Sequence, residues 1–173
     1  MKDDLFADQS SFDLRFVADY DRLGEIAQAL RSLGVQVVLT SGSFDILHEG
    51  HSMYLEAARK FGGFLIVGVD SDDKVRQRKG PTRPAVPQEE RLRMLTHQRG
   101  VGLVTLKGVE HSRWSLAAAV QPDVLVATAD TYTSDEIRGL QEGGYCGRVE
   151  VLERMATVST SARLRRLQLG VKT

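Results

Sequence analysis

The chain contains a single cysteine, Cys146, which excludes an internal disulfide framework and any CxxC metal site and points to a reducing cytosol. It also lacks an excess of charge of either sign, with lysine plus arginine and aspartate plus glutamate both at 23. No global field draws such a protein to nucleic acid or to an acidic membrane, so any affinity for phosphate must be local. No stretch approaches the roughly 18 apolar residues of a membrane span. The acidic opening, MKDDLFADQSSFD, has no apolar core of a signal peptide. These absences predict a cytoplasmic protein with neither membrane nor nucleic-acid partners. The glycine pattern GxGxxG and the loop GxxxxGK followed by Ser or Thr are missing as well, which counts against a dinucleotide oxidoreductase and a P-loop enzyme. No internal repeat or low-complexity tract is visible.

What is present is enough for one ordinary domain: 173 residues, 42% of them hydrophobic. Residues 1–18 are polar and unpatterned and read as an arm, either loose or docked on a partner subunit, ahead of a single domain at 19–173. From Asp19, the residues Leu23, Ile26, Ala27, Leu30 and Leu33 fall at helical spacing, and Gly34 stops the run. Apolar runs near 37–39, 64–69, 101–106, 123–127 and 148–152 read as strands. Helical patterns separate most of them, at about 50–61, 88–97, 112–120 and 134–140, and a last helix follows Ser159. Residues 70–79 read as a polar segment, followed by a proline-rich loop. Strands alternating with helices in this way predict an α/β, Rossmann-like, doubly wound architecture. Its five-stranded, mostly parallel sheet would carry helices on both faces. Ligands of such sheets bind beyond the carboxyl ends of the strands.

The stretch at that position is 37–51, VVLTSGSFDILHEGH, a buried strand running into a helix that starts near Gly50. A helix start presents unpaired N–H groups and the positive end of the dipole, so an anion held beside His48 and His51 is the first expectation, phosphate above all. Each residue also has a plainer reading. An isolated HxxH more often caps a helix or faces solvent, and HEGH lacks the HExxH spacing of a zinc site. Phe44 suits a core, and Asp45 a turn or a cap. Thr40 and Ser41 either cap the strand end or reach a phosphate. Lys74, Arg76, Arg78, Lys79 and Arg83 would ordinarily form a solvated face, but they follow the carboxyl end of the second strand. Ser159, Thr160 and Ser161 precede a helical run and suit its N-cap.

Taken together, Thr40, Gly42, Phe44, Asp45, His48, Gly50 and His51 complete a TxGxFDxxHxGH pattern, and the chain resembles the nucleotidyltransferase superfamily marked by it. That group includes cytidylyltransferases and heptose-1-phosphate adenylyltransferases, and the resemblance runs from about residue 34 to 167. It implies that His48, His51 and Lys79 act on the phosphates during transfer. The nucleotide would be bound by Thr40, Ser41, Gly42, Ser43, Phe44, Gly50, Arg154, Ser159, Thr160 and Ser161, and the acceptor by Asp45, Arg83, Arg91 and Asp130. Mg²⁺ would ride on the triphosphate, with Asp45 as its one candidate protein ligand. The expected reaction joins an NMP unit from an NTP to a small phosphorylated sugar, alcohol or phosphonate and releases pyrophosphate, in a homodimer.

Two resemblances pull the nucleobase in different directions. KGPTRPAVP at 79–87 and PDVLV at 122–126 are similar to the heptose enzymes and favour ATP. RMATVSTS at 154–161 is similar to a cytidylyltransferase element and leaves CTP open. After PDVLV the chain departs from the Lys-Gly-Gly-Asp-Tyr of the heptose branch and has Ala127, Thr128, Ala129, Asp130, Thr131 and Tyr132 instead. A non-catalytic nucleotide-binding module on the same fold is the alternative of a different class.

Overall fold

The apolar runs become strands because they are rich in β-branched residues, and all but the last, at 148–152, are largely buried. The computed structural model describes residues 12–129, 131–153 and 155. The strands β1 (Val37–Gly42), β2 (Phe64–Asp70), β3 (Val101–Lys107), β4 (Val124–Thr128) and β5 (Arg148–Leu152) form one sheet. Their order is β3-β2-β1-β4-β5, and every neighbouring pair is parallel. The order reverses between β1 and β4, and in such sheets this switch opens a crevice at the carboxyl ends.

Helices cover both faces. On one, α3 (Glu49–Arg59) and α5 (Gln88–Thr96) bury Leu55, Ala58, Leu92 and Leu95 against Val38, Val67 and Val126. On the other, α2 (Tyr20–Ser32), α6 (Ser115–Val120) and α7 (Ser134–Glu142) bury Leu23, Ala27, Leu116 and Leu140 against Leu39, Ile66 and Leu125. No helix among the described residues is long and apolar enough to cross a membrane.

Two segments differ from the sequence reading. Part of the presumed arm is held on the chain's own sheet: α1 (Phe12–Arg15) leads Phe16 into a parallel bridge with Val104 on the outer edge of β3. There Arg15 donates to the Thr96 carbonyl at 2.9 Å, and the Arg93 guanidinium lies 4.4 Å over the Phe12 ring. The polar segment after β2 is a helix, α4 (Asp72–Lys79), with only Val75 buried. Apolar period could not reveal it. Its signals are a Ser71 cap that accepts from the Lys74 N–H at 3.2 Å, acids in the first turn and bases in the last. The helix expected after Ser159 lies outside the described residues.

The switch point is tied together by hydroxyls. Thr40, fully buried, shares the Val126 carbonyl with the Tyr54 hydroxyl, at 2.9 and 3.1 Å, and the two hydroxyls meet at 2.7 Å. Thr40→Val keeps the shape and leaves Tyr54 on Val126. The expected result is a loss of about 1 kcal/mol in urea denaturation with an unchanged m-value.

Candidate active site

Beyond β1 the backbone enters the left-handed region twice, at Phe44 (φ 46°) and Ile46 (φ 51°). Each such non-glycine residue costs about 1–3 kcal/mol and persists only where its surroundings enforce it. Asp45, between them, supplies the enforcement. Its Oδ2 accepts from Arg83 Nε at 2.7 Å and is ion-paired with Nη2 at 2.5 Å, and its Oδ1 accepts from the Ala85 and Val86 N–H groups, both at 3.0 Å. The residue is 2% exposed. Burial alone would push this carboxyl up, but the Ala85 N–H, the Arg83 guanidinium and the Val86 N–H together hold it below the usual carboxylate value.

Arg91, 1% exposed, binds the same loops from beneath. It donates to the Ser43 carbonyl, to the carbonyls of Val86 and Asp70 at 2.9 Å each, and to Asp72 Oδ1 at 2.7 Å. Asp45, Arg83 and Arg91 therefore face inward, holding loops together, where the sequence reading had them at the acceptor. A carboxylate that already accepts from an arginine and two backbone N–H groups is poorly placed to ligate a metal as well. Phe44 is core, 5% exposed, and Thr40 lies inside the sheet.

With the loop fixed, α3 begins at the crevice. His48 is its N-cap and His51 occupies the third helical position, with their rings 4.0 Å apart and inclined by 25°. The His48 N–H donates to His51 Nδ1 at 3.4 Å, which assigns the proton of a neutral His51 to Nε2. Burial, reinforced by His48 and Lys79, lowers the His51 pKa to about 4. Gly50 is buried in the first turn. His51 is thus an uncharged N–H donor near neutral pH, set at the positive end of a helix.

Positive charge comes from lysines. Lys79, the last residue of α4, places its ammonium 2.8 Å from Ser43 Oγ. Desolvation and the neighbouring Arg78 and Arg83 lower its pKa. Lys107, at the end of β3, donates to Ser41 Oγ at 3.1 Å and lies 3.9 Å from Asp70, whose other oxygen accepts from Arg78 at 2.8 Å. The Tyr132 side chain neighbours Ser41, and its ring sits 5.3 Å from that of Trp114.

The structure thus brings together His48, His51, Lys79, Ser41, Gly42, Ser43 and Gly50 at the carboxyl ends of the strands. Asp130, Arg154, Ser159, Thr160 and Ser161 lie outside the described residues. Sequence reasoning missed Lys107, Tyr54 and Asp70; a polar residue ending each apolar run was the available signal for Asp70 and Lys107. Among the described residues no group of three or more His, Cys, Asp or Glu side chains could hold a metal ion. The nearby carboxylates of Asp45 and Asp70 are engaged by arginines. These residues therefore do not supply a protein cage for Mg²⁺.

Comparison with known proteins bears on the family and the fold. A family model described as cytidylyltransferase-like matches residues 39–165. The chain is 35% identical over 168 residues to the bifunctional protein HldE of Methylobacillus flagellatus, covering 96% of this chain and 34% of that protein. It is 42% identical over 132 residues to the bifunctional protein HldE of Trichlorobacter lovleyi, covering 75% and 26%. The chain spans between about a quarter and a third of the length of these curated relatives. Among solved structures, the lipopolysaccharide core biosynthesis protein of Thermoplasma volcanium superposes with a TM-score of 0.63 at 26% identity, over 70% of this chain and 98% of that one.

Asp45→Asn would leave Arg83 buried without its counter-charge, at an expected cost of about 3–5 kcal/mol. Because the folded pKa of Asp45 is depressed, its contribution is complete above the unfolded value of about 4 and disappears as pH falls through the folded value. Urea denaturation from pH 6 to pH 3 should therefore show a steeper loss in the wild type than in the variant.

Proposed function

Because the chain belongs to the cytidylyltransferase-like family, we propose that it transfers a nucleotidyl group from a nucleoside triphosphate to the phosphate of a small sugar phosphate. The observation that carries this reading is the stacked His48–His51 pair at the start of α3, beside the switch between β1 and β4. An oxygen of the acceptor phosphate attacks the α-phosphorus, the bond from that phosphorus to the bridging oxygen breaks, and pyrophosphate leaves. Such transfer depends on positioning and on stabilising charge, and no covalent enzyme intermediate is required.

The chain's residues suit those tasks. The His51 Nε2–H donates to oxygens on which charge grows, and the helix start adds a fixed positive field. Neutrality of His51 is an advantage, since a donor that is uncharged near neutral pH leaves the charge balance to Lys79. Ser43, accepting from Lys79, still has its own hydroxyl proton to donate. Mg²⁺ belongs to this reading only as the companion of the triphosphate, a state in which it keeps mostly water and phosphate ligands.

ATP is the slightly preferred donor and a heptose phosphate the preferred acceptor class. Support comes from the likeness of residues 79–87 and 122–126 to heptose-phosphate adenylyltransferases and from relatives named for HldE and for lipopolysaccharide core biosynthesis. CTP is the second reading, favoured by the family description and by RMATVSTS at 154–161.

Pyrophosphate release across ATP, CTP, GTP and UTP, each with a set of sugar phosphates and phosphonates, tests the proposal. Turnover is expected with ATP and a sugar 1-phosphate, and nucleotide binding without turnover in any pair would mark a non-catalytic module instead. His48→Ala and His51→Ala should each lower kcat by about 100-fold, the usual effect of removing one donor from a developing charge. Full turnover in the double variant would sink the mechanism.

A second test concerns charge. In the free protein the His51 imidazole should titrate by NMR with a midpoint near 4. A folded value below the unfolded one of about 6.5 means that the unfolded chain binds more protons between these limits, so stability should rise with pH across that window.

A further inference from the structure

Lys107 ends β3, yet its ammonium reaches Ser41 at the end of β1, with β2 lying between the two. The crossing is possible because β2 carries Gly68 at that level. A Cβ on Gly68 would meet Lys107 Cδ at 2.9 Å, Ser41 Cβ at 3.2 Å and Leu116 Cδ2 at 2.5 Å. The missing side chain leaves a channel across the strand, and the lysine stem occupies it. We propose that Lys107, passing over Gly68, forms with Ser41 and Tyr132 the subsite for the phosphate of the acceptor. The proposal rests on the transferase reading and extends it to the face of the sheet opposite α3.

The location and the inventory of cations both favour this. Arg83 and Arg91 are engaged inside the protein, and Arg78 pairs with Asp70 at 2.8 Å. Lys107 differs from them. Its side chain is 14% exposed, and its partners among the described residues are the Ser41 hydroxyl at 3.1 Å and the Asp70 carboxylate at 3.9 Å. Of the three donors on an ammonium, one has a close partner.

The serines give the spacing. Ser41 accepts from Lys107 and Ser43 from Lys79, so two ammoniums flank Gly42. At about 3.3 Å per residue their anchors lie some 6–7 Å apart, room for two phosphoryl groups whose reacting atoms must come within about 3–3.5 Å. Lys79 stands with the histidines and takes the triphosphate. Lys107 holds the second anion against the repulsion of the first. The Tyr132 ring beside Ser41, with the Trp114 ring 5.3 Å from it, offers a wall for the body of the acceptor.

Trp114 is the sole tryptophan, so its fluorescence reports on this subsite. The full chain is titrated with inorganic phosphate, with and without a saturating non-hydrolysable ATP analogue, and the analogue is titrated separately. A saturable response is expected for the wild type. Lys107→Met, which keeps most of the stem, should weaken phosphate binding at least about tenfold while changing analogue affinity by no more than about twofold. Lys107→Arg should restore part of the loss. In turnover, Lys107→Met should raise KM for the sugar phosphate more than it lowers kcat. Gly68→Ala keeps the ammonium but displaces its stem, and should give the same loss of phosphate; it carries the test where Lys107→Met does not fold, as judged from melting curves.

No phosphate response in the wild type, wild-type phosphate affinity in both variants, or a parallel loss of phosphate and analogue binding would each overturn the subsite. Phosphate binding that depends on Lys107 in a protein that never binds the analogue would uphold the subsite and reject the transferase reading.

Discussion

The buried pair of Asp45 and Arg83 is the interaction on which the rest of the site depends. Around it the backbone adopts two left-handed residues that would otherwise relax, and the loop at 83–86 is drawn onto the exit of β1. Arg91 completes the constraint by fastening the Ser43 carbonyl to the end of β2 and the start of α4. Ser43 is thereby fixed, Lys79 is fixed by Ser43, and α3 begins where His48 and His51 overlie the crevice. A charge pair of this kind adds little net stability compared with an apolar replacement, but it specifies one geometry where an apolar core would tolerate several.

A division of labour follows. Burial keeps His51 uncharged, so the imidazole contributes a directed N–H, and ammonium groups supply the charge. The two arginines that the motif suggested for substrate are inside, organising the loops that present those lysines.

Most of the fold was legible because five apolar runs and the helices between them differ in period. The helix α4 was not, because a helix with one buried residue has no apolar stripe and declares itself through caps and charge order. The location of the site was legible from the strand end at Thr40 and the histidines after it. The inward contacts of Arg83, Arg91 and Asp45 were not, since sequence spacing brings a guanidinium near a crevice without saying which way it turns. Lys107 was harder still: its reach to Ser41 depends on the register of β3 against β2, which shifts at Leu65 and Ile66.

Tyr54 has a bearing on evolution as well as on packing. It lies three residues after His51, one turn along the same face of α3, with its hydroxyl on the Val126 carbonyl. The phenol acts as an indexing pin that sets the azimuth of the helix, and with it the direction of the imidazole. Each residue of an α-helix turns about 100°, so one inserted or deleted residue between the two would swing the histidine away even with every side chain retained. The two residues between His51 and Tyr54 should therefore tolerate substitution far better than any change of length.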